Sequence, residues 1–303
     1  MDTYIVSKVE KKLNQIRFQS KLDLKKETDT FYKLHPDIFG LENQKRLIVS
    51  DPSLSKEEKR KAVNTIDKRI NEIIDKNNLA FPHQKFRCNL CNDSGYVEKD
   101  GKKERCSCFT RMLIDEAMKT ENCSNIISFD DFNENIFDDK IKKEILNIRN
   151  YLKAYSEKFP NVKKPNTILF GNTGTGKTFL LSCVYTELKK KGIGVIFLTA
   201  GRLFDMLKKY AFNQINDIDV LLDAEMLIID DLGTEPMFNN ITIEYLFMLI
   251  NERSRNNKPM LISTNFSAED LERHYTERIS SRLLDQSTTN IIFIPGNDLR
   301  LRF

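Results

Sequence analysis

The chain has 303 residues, 40% hydrophobic and 30% charged, with a formal net charge of +4. That length holds one large domain and a smaller one, and the composition excludes a disordered or collagenous chain. No apolar run approaches the roughly 20 residues needed to cross a bilayer, and the opening MDTYIVSKVEKKLNQ has neither the apolar stretch nor the cleavage site of a secretory signal, so a soluble cytoplasmic protein with no membrane partner is expected. The mild positive charge is compatible with a nucleic-acid partner without demanding one.

Residues 1 to about 87 are Lys-rich and read as helices. Ile5, Val9, Leu13 and Ile16 recur at helical spacing, and so do Ala62, Val63, Ile66, Ile70, Ile73 and Ile74. Ser55, with Glu58 three residues on, forms a capping box that opens the second of these helices. Each amphipathic face packs on something, within its own domain or on a partner protein.

Next comes CNLCNDSGYVEKDGKKERCSC, residues 88–108, which holds four of the six cysteines. Cys88 and Cys91 make a C-x-x-C pair and Cys106 and Cys108 a C-x-C pair. The 14 residues between the pairs include Gly95 and Gly101 and suit a short hairpin that brings the pairs together. A reducing cytosol disfavours structural disulfides. A thioredoxin-like C-x-x-C needs a helix start in a βαβ unit, which the surroundings of Cys88 do not offer. Four unrelated buried cysteines would not gather among so many charges. Four thiolates at tetrahedral reach suit a structural zinc, with no position left open for a metal-bound water. His83 is a possible substitute ligand, while Cys123 and Cys183 read as incidental thiols.

A polar linker, ENCSNIISFDDFNENIFDD, leads to a predicted helix over about 139–158. From Pro165 onward, the short apolar runs TILF, GVIFLT, MLIID, PMLIST and NIIFIP alternate with helical stretches. Five such runs predict an α/β domain whose parallel sheet is covered on both faces. No internal repeat or low-complexity tract interrupts the pattern.

The stretch TILFGNTGTGKTF carries the chemistry. Gly171, four residues, then Gly176, Lys177 and Thr178 match the P-loop pattern after a strand and at the head of a helix, the context that motif needs. The candidate phosphate cradle runs through Gly171, Asn172, Thr173, Gly174, Thr175, Gly176, Lys177, Thr178 and Phe179. Its glycines let backbone N–H groups turn toward phosphate, the helix amino end adds a favourable dipole, Lys177 neutralises the β and γ oxygens of ATP, and Thr178 offers a magnesium ligand. Some 50 residues later EMLIIDDLG ends an apolar strand in two carboxylates. Asp230 suits the magnesium ion, Asp231 the attacking water, and Glu235 is a rival for that water. PMLISTNF ends in Asn265, whose amide can reach the γ-phosphate or its water, and TERISSRLL sets Arg278 and Arg282 four apart on one helix face.

In this order, GNTGTGKT, LIIDDLG, STN, RISSRL and a terminal DLR resemble the AAA+ ATPases of the bacterial replicative helicase loaders, DnaC and DnaI, and their relative IstB, a transposition ATPase. The resemblance covers roughly residues 125–303. It implies a five-stranded AAA+ sheet, adenine near FDDFN, Asn265 as sensor 1, Arg282 as an arginine finger acting on a neighbouring subunit's ATP, and Arg300 as sensor 2, with Arg278 as the alternative finger. Asp231 departs from the wider pattern, where most members carry Glu, and a chain stopping soon after Arg300 implies a minimal helical lid. The cysteine module resembles the zinc-binding segment of many Gram-positive and phage loaders, which IstB-type proteins lack. The implied organisation is a helical, zinc-binding helicase-interaction domain over 1–120, a linker over 121–138 and an AAA+ domain over 139–303. The implied activity is Mg-dependent ATP hydrolysis to ADP, slow and switch-like. The implied partners are a hexameric replicative helicase, single-stranded DNA and further copies of the chain on the helicase. An IstB-like ATPase that binds DNA and a transposase is the alternative.

Overall fold

The structure, a computed structural model, describes residues 3–118, 127–215, 218–235 and 239–302. The chain divides into two compact units, Glu10–Glu104 and a second formed by Met1–Val9 with Arg105–Phe303. Among the described residues no helix is long and apolar enough to cross a membrane. Cys123 lies outside the described residues.

Three helices open the chain, α1 (Thr3–Leu34), α2 (Pro36–Ser50) and α3 (Lys56–Lys76). The capping box at α3 is formed: Glu58 N–H donates to Ser55 Oγ at 3.3 Å, and Ser55 N–H to Glu58 Oε2 at 2.9 Å. Ile66 and Ile70, the centre of the predicted α3 stripe, are buried with Phe31 and Ile38. Periodicity gave no warning of α2, because Ile38 is its one buried residue and Gly40 interrupts it. Its start follows the rule that Pro suits the first helical position, whose N–H has no partner in any case.

The expected hairpin is β1 (Tyr96–Lys99) with β2 (Lys102–Arg105). Asp100 and Gly101 both take left-handed φ, +50° and +74°, the turn whose twist matches that of the flanking strands. Helix α4 (Ser107–Met118) follows and sends Ile114 into the core of the second unit. Arg111 of α4 grips Glu225 through two hydrogen bonds of 2.6 and 2.9 Å, and Glu225 also accepts Gly194 N–H at 2.8 Å.

Helix α5 (Asp139–Lys158) is the predicted one. Beyond it strands and helices alternate: β3 (Asn166–Phe170), α6 (Lys177–Lys190), β4 (Val195–Thr199), α7 (Ala200–Ala211), α8 (Asp219–Asp223), β5 (Met226–Leu232), α9 (Asn239–Arg255), β6 (Met260–Thr264), α10 (Ala268–Tyr275), α11 (Glu277–Leu283) and β7 (Thr289–Phe293). The five later strands form one parallel sheet in the order β4-β5-β6-β3-β7. Alternate residues of a strand point to opposite faces, so β5 gives Leu227 and Ile229 to one core and Met226 and Ile228 to the other. Strands β3, β5 and β6 are buried on both faces, which is why they read as unbroken apolar runs, whereas the edge strand β7 leaves Ile291 and Phe293 exposed. Because β5, β6 and β3 are neighbours, the segments leaving their carboxyl ends meet at one edge, where open α/β sheets place their ligands.

Candidate nucleotide site and metal centre

That edge carries a cavity of about 310 Å³ lined by Thr173, Gly174, Gly176, Lys177, Thr178, Asp231, Asn265, Leu299 and Arg300. Gly176 caps α6 at φ +96°, a conformation that costs glycine nothing and puts the helix amino end at the cavity. Lys177 is buried and donates to Gly171 O and Asn172 O at 2.8 Å each and to Asn265 Oδ1 at 2.6 Å. Burial pulls its pKa below the usual lysine value, while the Asp231 and Asp230 carboxylates push it back up. P-loop lysine and candidate sensor amide, 88 residues apart in sequence, are therefore already in contact.

Two adjacent residues on a regular strand face opposite sides, so both acids of IIDD cannot serve one cavity without an irregularity. The structure supplies it. The pairing of β5 with β6 slips between Ile229 and Leu232, and Asp231 sits there at φ +55°, in the left-handed region. Asp231 lines the cavity while Asp230 stays buried beneath it. Ser263 locks the arrangement: its Oγ accepts Asp231 N–H at 2.8 Å and donates to Asp230 Oδ1 at 2.5 Å. Burial raises the Asp230 carboxyl pKa, and hydrogen bonds from Ser263 and Thr178 oppose that rise. The Thr178 hydroxyl and the Asp230 carboxylate thus stand together, two hard oxygen donors that suit magnesium, which would neutralise phosphate charge there.

Glu235 turns away from this chemistry. It is 5% exposed, accepts the Tyr275 hydroxyl and takes Gly233 N–H at 2.9 Å, and it does not line the cavity. Of the arginines, Arg300 lines the cavity, whereas Arg278 and Arg282 lie over the Phe247 ring of α9, 4.3 and 4.7 Å from its centroid. In FDDFN, Phe129 is buried, and Phe132 stacks on Phe137 and stands 6.1 Å from Phe179 of the cradle. Cys183, on α6, is fully buried, and burial pushes its thiol up to about 12, as befits an incidental core thiol.

In the 88–108 segment the sulfurs of Cys88, Cys91, Cys106 and Cys108 all lie within 4.8 Å of one another. A tetrahedral zinc with bonds of about 2.3 Å sets its sulfurs about 3.8 Å apart, so this donor set fits zinc and leaves no ligand position open. After Cys91 the chain turns through Asn92 and Asp93 at φ +49° and +56°, and Gly95 N–H donates to Cys91 Sγ at 3.4 Å. Asp93 fastens the first pair by accepting Arg87 N–H at 3.0 Å and Cys88 N–H at 2.8 Å. Sequence reasoning missed that role of Asp93, although Asp in the left-handed region is itself a turn signal. His83 is outside the cluster and lines a groove along α1. Purified protein is expected to carry close to one zinc per chain by elemental analysis. Cys88→Ser should lose the metal and melt at a lower temperature without changing nucleotide affinity. A metal-free wild-type chain would refute the zinc assignment.

A glycine cradle with a buried lysine, an acid turned into the cavity by a bulge with a second acid buried beside the P-loop threonine, and a polar amide on the next strand define an ATP-binding P-loop protein of the AAA+ class. Residues 124–303 match the family described as IstB-like ATP binding protein, more than half of the chain, and the chain belongs to that family. Among relatives, it is 27% identical over 131 residues to the replicative helicase loader DnaI of Bacillus subtilis, covering 43% of this chain and 41% of DnaI. It is 26% identical over 132 residues to the replicative helicase loader DnaC of Escherichia coli, covering 42% of this chain and 53% of DnaC. The chain therefore spans about half the length of these two loaders. The phage-like element PBSX protein XkdC of Bacillus subtilis is 24% identical over 224 residues, 70% of this chain and 84% of XkdC. A crystal structure of the DnaC helicase loader superposes with a TM-score of 0.48 at 20% identity, over 56% of this chain and 97% of that one. Membership of an ATP-binding family agrees with the ATPase activity expected from the motifs.

Proposed function

We propose that the chain is an ATP-dependent helicase loader, which binds a hexameric replicative helicase and delivers it onto single-stranded DNA in the cytoplasm. The observation that carries this reading is the four-cysteine cluster lying ahead of an IstB-like ATPase region, in a chain related to DnaI and DnaC. Residues 1–120 are assigned to gripping the helicase, 121–138 to a linker and 139–303 to binding ATP and DNA.

In the ATPase site Lys177 releases its loop carbonyls to engage β and γ phosphate oxygens, and Thr178 and Asp230 would hold a magnesium ion, which would supply neutralisation of phosphate charge. Asp231 polarises the attacking water, and Asn265, already against Lys177, orients it. Arg300 meets the terminal phosphate from within the same cavity, and Arg282 reaches the ATP of a neighbouring copy assembled on the helicase.

The test is co-purification of the full chain with the replicative helicase of its host in ATP and magnesium. A stable complex, weakened by Lys177→Ala, is expected. The family match also supports an IstB-like role with DNA and a transposase. Binding to duplex DNA and a transposase, with no helicase complex, would establish that reading instead.

A further inference from the structure

Arg300 is not free to meet a phosphate: its Nε donates to Asp298 Oδ1 at 2.9 Å and one terminal nitrogen to Oδ2 at 2.7 Å, a bidentate pair. Asp298 is itself seated on the phosphate loop. Leu299 N–H donates to Gly174 O at 3.0 Å, and a Cβ built on Gly174 would fall 1.9 Å from Asp298 Oδ1, so only glycine leaves room for the carboxylate there. The same Oδ1 accepts Arg300 N–H at 3.0 Å, closing a small turn.

We propose that Asp298 limits the preference of this site for a nucleoside triphosphate over a diphosphate, by holding the Arg300 guanidinium until a terminal phosphate takes it away. This rests on the nucleotide reading of the cavity given above. Arg300 lines the cavity, and the pair is open to solvent, with the arginine side chain 67% and the aspartate 24% exposed. Exposed ion pairs are weak, so exchange of partner is cheap. A terminal phosphate offers more charge and more acceptor oxygens than one carboxylate, so it outcompetes Asp298 for the planar fork of N–H donors. A diphosphate lacks that group and leaves the pair closed. Asp298 thereby lowers affinity for triphosphate while coupling its arrival to movement of the segment lying on Gly174.

Asp298→Asn isolates the charge, because the amide oxygen still accepts Arg300 N–H and the side chain keeps its size against Gly174. The full chain would be titrated with ATPγS and with ADP, both with magnesium, for wild type, Asp298→Asn, Arg300→Ala and the double variant. Asp298→Asn should bind ATPγS about two- to fivefold more tightly, the range set by an exposed pair, with ADP affinity nearly unchanged. In the Arg300→Ala background that gain should vanish, since coupled residues are non-additive. A role confined to turn stability would shift the melting temperature and leave the ratio of the two affinities unmoved. An equal gain for both nucleotides, the same gain without Arg300, or no gain at all would each overturn the proposal. A wild-type chain that binds neither nucleotide would instead overturn the nucleotide reading on which it stands.

Discussion

Asp231→Asn should bind ATP nearly as well as wild type and hydrolyse it about 10²- to 10⁴-fold more slowly, the usual worth of a positioned general base. The local structure makes this a clean substitution. Asp231 sits at φ +55°, a region that Asn tolerates as readily as Asp, and the bond that holds it there runs from its backbone N–H to Ser263 Oγ. The bulge therefore survives, and only the carboxylate charge is lost. Lys177→Ala is the contrasting case. It deletes three hydrogen bonds, to Gly171 O, Asn172 O and Asn265 Oδ1, together with the cation facing the phosphates. Charge-assisted bonds contribute about 1.5–3 kcal/mol each, so losing even one to nucleotide weakens binding by roughly 10- to 100-fold. Nucleotide titration and phosphate release, measured on the same preparations, separate the two. Equal loss of binding in both variants would contradict the division of roles.

The parts of this site written as contiguous patterns were legible in the sequence. The P-loop announces itself because one strand-to-helix turn must satisfy both the backbone and the phosphates, which confines the residue types at fixed spacing. The inner strands are equally plain, since burial on both faces forces apolar runs, and the edge strand β7 reads the same way although Ile291 and Phe293 are exposed. Partnerships made across the fold were not visible. Nothing in DDLG says that its two acids diverge at a register slip, and nothing in IST says that Ser263 holds both of them. Arg253 reads as an ordinary helix arginine, yet it is fully buried and donates to Leu221 O, Ala224 O and Pro259 O. Glu235, one methylene longer than Asp231 and close to it in sequence, reads as a competitor for the catalytic water, whereas in the fold it accepts hydrogen bonds from Tyr275 and Gly233. Helix α4 follows the cysteines directly in sequence, yet it is held against the ATPase core by Ile114 and by a pair, Arg111 with Glu225, separated by 114 residues. Local chemistry is encoded in neighbours along the chain, while long-range hydrogen bonds depend on topology that no short window contains.

If Arg282 is the finger proposed above, Arg282→Ala should bind ATP normally and lose most of the hydrolysis measured with the helicase present, because a finger acting across a subunit boundary contributes nothing to the site of its own chain. Arginine fingers are worth about 10³ to 10⁵ in rate where they have been dissected, and a slow switch-like ATPase lies at or below the bottom of that range. The geometry favours Arg282 over its neighbour. Its Nε donates to Asn251 Oδ1 at 3.1 Å and a terminal nitrogen to Arg278 O at 2.9 Å, and its guanidinium lies over Phe247. Those bonds use two of its five N–H donors and fix the plane of the rest, so little ordering remains when a phosphate arrives. Arg278 rests on the same ring and contributes its carbonyl to holding Arg282. Neither lines the cavity of its own chain, as a group acting on a neighbour's ATP requires. Mixing provides the decisive measurement. An Arg282→Ala chain keeps a working P-loop and a Lys177→Ala chain keeps a working finger, so two inactive variants should together regain activity at their mixed interfaces on helicase or DNA. Arg278→Ala should retain most activity alone, because it leaves Arg282 its Asn251 and Phe247 contacts. If instead the Arg282 mixture stays inactive, and Arg278→Ala is inactive alone but recovers with Lys177→Ala, the finger is Arg278 and Arg282 serves to hold it on the ring.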